Sequence, residues 1–251
     1  MAKVRALILR GPGTNCDVET DFAFQQAGAI ASSIHVNQLI RHEQRLSDYQ
    51  IFVIPGGFTY GDDLGAGRVL ANELKLRFGA DIENFIDNGG LILGICNGFQ
   101  VMVKAGILPR AANGSTLSAT LADNDSGRFE CRWIYMTANR KSPCIFTEGI
   151  ERLYLPVAHG EGKFVTGGGE LPEPNIALYY TNEQGNTGAG YPHNPNGSKR
   201  DIAGICDSSG RIFALMPHPE RFIRGTQHPR WTREGIKEQG DGFQIFLNAV
   251  R

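Results

Sequence analysis

Leu91-Ile92-Leu93-Gly94-Ile95-Cys96-Asn97-Gly98-Phe99-Gln100-Val101-Met102 is the stretch whose reading decides the fold. Leu91 to Ile95 is a short apolar run behind Gly89 and Gly90, which suits a buried parallel strand. Asn97 to Lys104 reads as the start of a helix that packs through Phe99, Met102 and Val103. Cys96 therefore sits where a strand turns abruptly into a helix, with Gly94 and Gly98 two residues away on either side. That is the plan of a nucleophile elbow: small neighbours relieve crowding while the central side chain stands up at the carboxyl end of the strand. The helix would direct its free N–H groups and positive dipole end at the sulfur, favouring the reactive thiolate. A cysteine packed at a strand end is the commoner arrangement for this residue type. The flanking glycines favour the elbow.

Composition narrows the class of protein. A chain of 251 residues can build one sizeable α/β core, with or without an inserted subdomain. No linker-like tract divides it, so residues 1–251 are expected to form a single domain. A net charge of −1 gives no electrostatic basis for binding nucleic acid or an anionic membrane. The five cysteines, Cys16, Cys96, Cys131, Cys144 and Cys206, form no C-x-x-C pair. That speaks against a zinc ribbon or a secreted disulfide scaffold and for a reducing, cytoplasmic setting. No metal site is expected. No apolar run approaches membrane-spanning length.

Taken in order, the chain opens with an expected strand, Val4 to Leu9, and a turn from Gly11 to Asn15. Thr14 or Asn15 is placed to cap a helix that stops at Gly28. Ser33 to Val36 and Ile51 to Ile54 are the next strands, the latter leading into Pro55-Gly56-Gly57-Phe58-Thr59-Tyr60-Gly61-Asp62. Leu70, Leu74, Phe78, Ile82, Phe85 and Ile86 then follow helical spacing. Such alternation implies a parallel sheet with helices on both faces and ligands at the carboxyl ends of its strands.

Beyond Pro109 the pattern changes to period two. Phe129, Cys131, Trp133 and Tyr135 define one aromatic strand face, and Leu153 to Val157 and Ala177 to Thr181 are further strands. Ile202 to Cys206 and Arg211 to Met216 flank a ready hairpin turn, Asp207-Ser208-Ser209-Gly210. These strands are expected to extend or cover the sheet as antiparallel additions. Gly167 to Gly169 and Gly185 to Ser198 read as surface loops, and Gly242 to Val250 as a closing helix.

A cysteine nucleophile needs a base, and two His-x-Glu pairs are present: His159-Gly160-Glu161 and His218-Pro219-Glu220. In an extended segment residues two apart face the same way, so each glutamate could orient its histidine as an aspartate does in serine-protease triads. His218 is the stronger candidate, because it follows an apolar strand and is stiffened by Pro217 and Pro219. His159, among glycines, suits a loop at the rim of a site, where it would act on substrate binding. Acyl transfer also needs N–H donors for an oxyanion. The N–H groups of Gly57 and of Asn97, the residue after the nucleophile, are the natural pair.

These features together resemble the class I (triad) glutamine amidotransferases, marked by Gly-x-Cys-x-Gly-x-Gln and a distant His-Pro-Glu. Here those are Gly94 to Gln100 and His218-Pro219-Glu220. Within that class the chain is most similar to the glutaminase subunits of phosphoribosylformylglycinamidine synthases, a branch of purine-biosynthetic enzymes. The similarity rests on Gly13 to Asp17, Gly56 to Asp62, Cys96 to Gln100, His159 to Gly162, Asn194 to Ser198 and Met216 to Arg221, in family order across nearly the whole chain.

The resemblance implies a flavodoxin-like fold with added antiparallel strands. It also implies Cys96 as nucleophile, His218 as base, Glu220 as its orienter and Gln100 in the pocket for L-glutamine. A synthetase subunit, with a possible small accessory subunit, would consume the ammonia and hold ATP and Mg. No cofactor is expected on this chain, which has no Gly-x-x-x-x-Gly-Lys-Ser/Thr loop. Thr59 stands where serine is common, Asp63 to Gly67 is richer in glycine than the pattern, and Arg224 to Gly240 is longer. Arg221, Arg224, Arg230 and Arg233 read as a solvated surface, or as a contact for a phosphate or an acidic partner. Two other readings are a cysteine-elbow hydrolase or stress protein of the same general fold, and a catalytically inactive homologue. The complete triad disfavours the second.

Overall fold

Alternating strand and helix organise the first half of the chain in the computed structural model, which describes residues 3–110 and 117–251. In chain order the elements there are β1 (Arg5–Arg10), α1 (Asp17–Gln26), β2 (Ile30–His35), α2 (Val36–Ile40), β3 (Ile51–Ile54), α3 (Arg68–Asp87), β4 (Leu91–Ile95) and α4 (Asn97–Ala105). Then follow β5 (Ala119–Asp123), β6 (Glu130–Ala138), β7 (Arg152–His159), β8 (Glu161–Thr166), β9 (Ile176–Thr181), β10 (Ile202–Cys206) and β11 (Ile212–Leu215). Two helices close the chain, α5 (Trp231–Glu234) and α6 (Phe243–Val250).

Among the described residues, nine of these strands form one sheet in the order β2-β1-β3-β4-β11-β10-β9-β6-β7. Pairing is parallel from β2 through β11 and antiparallel from there outward. The parallel strands β3 and β4 are almost wholly apolar and buried, as strands covered on both faces must be. The chain runs from β1 to β2 on one side and later returns to β3 on the other. Right-handed crossovers then put α1 and α3 on opposite faces. One face holds α1 against α6, with Phe24 and Phe246 edge to face at 5.0 Å. The other holds α3 against α4, and the buried stripe of α3 is the one the spacing predicts, Leu70 through Ile86. The carboxyl ends of β1, β3, β4 and β11 lie side by side, which gathers the loops carrying Cys16, Gly57, Cys96 and His218.

The structure departs from the sequence reading at several points. The N-cap of α1 is Cys16, without a side-chain cap. The Thr14 hydroxyl instead accepts from the Gly11 N–H, and the Asn15 side-chain Oδ1 accepts from the Cys16 thiol. β2 begins at Ile30 and ends at His35, whose ring accepts from the Asn37 N–H and starts α2 at Val36. The aromatic side of β6 does not face the core: Glu130, Ile134 and Met136 do, while Cys131 is exposed. Trp133 is instead roofed by the segment after β11, packing on Phe222 and His228. A two-stranded sheet of β5 and β8, absent from the sequence reading, lies beside the main one.

The end of the expected surface loop 185–198 is also inside, with Asn194, Asn196 and Ser198 buried. Their polar groups are satisfied internally, Asn196 donating to the Tyr180 hydroxyl and Ser198 accepting from the Phe164 N–H. Burial of polar side chains is tolerated when such bonds are made.

The α1–α6 contact gives a direct test of the packing. Phe246→Ala removes a fully buried ring and should lower unfolding free energy by about 3–5 kcal/mol. Urea denaturation followed by circular dichroism measures it, and a loss below about 1 kcal/mol would contradict the placement of α6.

Candidate functional site

β4 delivers Cys96 to its turn, and α4 begins at the next residue. Cys96 has φ 51° and ψ −105°, a conformation L-residues rarely adopt, and holding it there costs roughly 1–3 kcal/mol. The two glycines explain how the turn closes. A Cβ on Gly98 would overlap the Ile54 carbonyl oxygen at the end of β3, and one on Gly94 would press into the Met102 sulfur. Both positions require glycine, as the elbow reading anticipates.

His218 follows β11 by three residues, and its N–H donates to the Pro156 carbonyl at 2.9 Å. A single 3-10 turn over Pro219–Arg221, not an extended segment, brings Glu220 back onto it. His218 Nδ1 lies 2.6 Å from Glu220 Oε1, with both side chains buried. Nε2 of the ring is buried without a protein partner among the described residues. Burial is the largest influence on this imidazole and pulls its pKa down. The Glu220 carboxylate, the Cys96 sulfur and the Cys16 thiol together outweigh it and hold the pKa well above the usual 6.5. The Cys96 thiol meanwhile donates to the Ala158 carbonyl at 3.6 Å, so in this resting geometry it points to the end of β7.

The second His-x-Glu pair does not form a dyad. His159 is buried at the end of β7, not at a flexible rim, and its Nδ1 lies 3.1 Å from Asn124 Oδ1. Glu161 turns away: its carboxylate accepts from the Ala66 N–H and pairs with Lys104 at 3.4 Å. Burial, reinforced by repulsion from His218, lowers the His159 pKa to about 4, so this ring is neutral at pH 7.

Asn97 and Gln100 form a satisfied polar seam on α4. Asn97 Oδ1 accepts from the Thr59 hydroxyl at 2.7 Å, and Asn97 Nδ2 donates to Gln100 Oε1 at 2.8 Å and to Asp62 Oδ1 at 3.2 Å. Threonine at 59 therefore supplies the hydroxyl that the site uses. Gln100 Nε2 donates to the Glu161 carbonyl, which locks α4 to β8. Gly57 has φ +149°, and a Cβ there would collide with Gly13 and Asn15, so the loops after β1 and β3 meet through it. The N–H groups of Gly57 and Asn97 donate to no protein acceptor among the described residues. Burial raises the Asp62 pKa, against the opposing effect of the Gly67 and Asn97 donors.

These residues enclose a cavity of about 230 Å³ lined by Gly57, Phe58, Asp62, Cys96, Gln100 and His159, among others. That volume lies below the range of pockets for drug-sized ligands and suits a small amino acid. A larger cavity of about 640 Å³, near Tyr49 and Asn88, opens at the opposite end of β3 and β4 and carries no cysteine. Cys96 and Gly57, one of the two residues with an unused N–H, line the smaller one.

Sequence reasoning missed Asn124, which accepts from the Gly162 N–H and donates to the His159 carbonyl. It lies in Asp123-Asn124-Asp125-Ser126-Gly127, which carries only a turn signal. The arginines after His218 are not one patch. Arg221 reaches Cys16, Arg224 stacks over Phe22, and Arg230 lies over Tyr154 beside Glu234.

Residues 3–251 match the family model described as the CobB/CobQ-like glutamine amidotransferase domain. The chain is 58% identical to phosphoribosylformylglycinamidine synthase subunit PurQ of Dehalococcoides mccartyi, over 100% of this chain and 98% of that one. It is 45% identical to the protein of the same name from Methanococcus maripaludis, over 98% and 96%. A solved structure titled PurLQS from Thermotoga maritima has a chain that superposes with TM-score 0.75 at 30% identity, covering 99% of this chain and 98% of that one.

The depressed His159 pKa has a consequence for stability. In the unfolded chain this histidine gains its proton near pH 6.5, and in the folded chain only near pH 4. Its neutral-form stability is therefore present above pH 6.5 and is lost as pH falls from 6.5 towards 4. His159→Gln should remove this part of the acid slope, on the order of 3 kcal/mol between those limits. Urea unfolding of both proteins at pH 7, 6, 5 and 4.5 measures the difference; parallel slopes would show that His159 is not held neutral.

Proposed function

The chain belongs to the CobB/CobQ-like glutamine amidotransferase family, and from that premise we propose that it is the glutaminase subunit of a phosphoribosylformylglycinamidine synthase. It hydrolyses L-glutamine and passes ammonia to an ATP-dependent synthetase subunit, in purine biosynthesis. The observation that carries the chemistry is a strained elbow cysteine sharing a site with a buried, carboxylate-bound histidine whose second nitrogen is free. Residues 1–251 act as one amidotransferase domain.

Cys96 gives its proton to His218 Nε2, and the thiolate attacks the side-chain carboxamide carbon of glutamine. The N–H groups of Gly57 and Asn97 receive the developing oxyanion, since neither is engaged elsewhere among the described residues. His218 then protonates the leaving nitrogen, the C–N bond breaks, and ammonia departs from the γ-glutamyl thioester. Neutral His218 next takes a proton from water, the hydroxide adds to the thioester, and glutamate leaves as the C–S bond breaks and His218 returns its proton to the Cys96 sulfur. Glu220 steadies the imidazolium in both halves. Gln100 sets the pocket wall, held by Asn97 behind it, and carboxyls of Asp62, Asp123 and Glu161 along the cavity suit the α-ammonium of an amino acid. His159 acts on substrate binding from the back of the pocket as a neutral ring.

ATP and Mg belong to the synthetase, and a small accessory subunit completes the assembly. The location is cytoplasmic, with neither nucleic acid nor membrane as a partner. None of the described helices is long and apolar enough to cross a membrane. A cysteine-elbow hydrolase of the same general fold is the competing reading, and the His218–Glu220 pair with Gln100 favours the amidotransferase.

Two experiments test the roles. His218→Ala should lower kcat for glutamine hydrolysis by about 10²–10⁴ with little change in KM, whereas His159→Ala should act mainly on KM. Steady-state kinetics decide between them, and the reverse pattern would mean the triad is misassigned. Cys96→Ala, assembled with the synthetase, should lose glutamine-dependent amidination yet still form product from added ammonia. Retained glutamine-dependent activity would refute Cys96 as the nucleophile.

A further inference from the structure

Behind the triad, on the side of His218 away from its free nitrogen, lies a contact that the mechanism above leaves unused. Arg221 Nη2 donates to Cys16 Sγ at 3.1 Å, and Cys16 Sγ in turn lies 3.9 Å from His218 Nδ1. The same guanidinium has Nε 4.0 Å from Glu220 Oε1 and 3.8 Å from Glu19 Oε1 on α1. Gly56 closes the cluster, since a Cβ there would come within 2.9 Å of His218 Cε1 and 3.1 Å of Cys16 Sγ. Glu220 is wholly buried, and its Oε2 has no partner among the described residues.

That arrangement poses an electrostatic problem. While His218 is an imidazolium, it compensates the Glu220 carboxylate directly at 2.6 Å. The hydrolysis half of the reaction needs His218 neutral, and an uncompensated buried carboxylate is costly. Arg221 is the remaining cation beside Glu220 among the described residues, and it is fixed there by Cys16 on one side and Glu19 on the other.

We propose that Arg221 is a positioning residue of the triad, keeping Glu220 ionised and aimed at His218 Nδ1 while the imidazole is neutral. This rests on the catalytic assignment of His218 and Glu220 made above. Arg221 touches neither glutamine nor the reacting atoms; it acts through Glu220. Cys16 is its anchor and takes no part in bond making. Burial raises the Cys16 pKa, which keeps it a thiol that accepts from the guanidinium. The groups around His218 are Glu220 on its own turn, Cys96 at the elbow, Cys16 after β1 and His159 at the end of β7, with Arg221 standing beside Glu220. Of these, Arg221 is the permanent cation, so removing it leaves the imidazolium more favoured.

The direction of the effect follows. Arg221→Gln and Arg221→Met should move the titration midpoint of His218 up by about one pH unit, a shift at the low end for a nearby charge because Arg221 is partly exposed. The neutral fraction needed for thioester hydrolysis then falls, so the acid limb of kcat moves up in pH while KM changes little. Arg221→Lys keeps the charge and should lie near the parent protein. The midpoint is read by NMR from the His218 ring protons, assigned with His218→Gln, and kcat and KM are read across pH on the chain assembled with its synthetase. An upward shift in both neutral variants, reversed by lysine, supports the proposal. An unchanged or lowered midpoint, or a lysine variant that behaves like methionine, overturns it. The NMR measurement needs no turnover, so it stands apart from the outcome for Cys96→Ala.

Discussion

The backbone at Cys96 is the constraint on which the rest depends. A non-glycine residue at φ 51° and ψ −105° is stable only where its surroundings leave no easier course. Here β4 is paired on both sides by parallel neighbours, β3 and β11, so its direction is fixed. α4 is pressed down until Gly98 lies against the Ile54 carbonyl, so its starting point is fixed as well. Between two immovable elements one residue must turn, and its side chain is projected from the strand end, where it meets the Ala158 carbonyl at the end of β7. The strain is local, and the packing of Phe99, Val101 and Met102 beneath α4 offsets it.

Charge is distributed around that residue by burial and pairing. Two buried histidines share the site but carry opposite tendencies. His218 has a carboxylate at 2.6 Å and is driven towards the imidazolium, whereas His159 has only the neutral Asn124 and is driven away from it. Environments that push two like groups apart in this way assign them different tasks. A ring that is readily protonated can serve as acid and base beside the thiol. A ring that stays neutral can shape a pocket without adding a second positive charge beside the first.

Much of this was legible in the sequence, for identifiable reasons. The parallel strands, the long α3 and the elbow left strong signals because burial on both faces, helical spacing and close backbone approach each demand particular residue types. The match of Gly94 to Gln100 and of His218 to Glu220 to a family pattern carried the site. What failed was long-range. Whether the aromatic side of β6 faced core or cover depended on the segment around His228, far along the chain. Asn196 and Ser198 looked like loop residues because their partners, Tyr180 and Phe164, lie on other strands. His159 and Glu161 read as a pair, yet one ends β7 and the other begins β8, and each finds a different partner. Alternation along a segment cannot report such choices.

The central claim, that the elbow makes Cys96 the nucleophile towards glutamine, is tested most directly by covalent labelling. The native chain is treated with a diazo-ketone analogue of glutamine, with and without excess glutamine, and the modified peptide is identified by mass spectrometry. The account predicts one adduct, on Cys96, formed at a rate that glutamine suppresses; Cys16, buried under Arg221 and held as a thiol, remains unmodified. Labelling chiefly at Cys16, or labelling of Cys96 that glutamine does not slow, would contradict it.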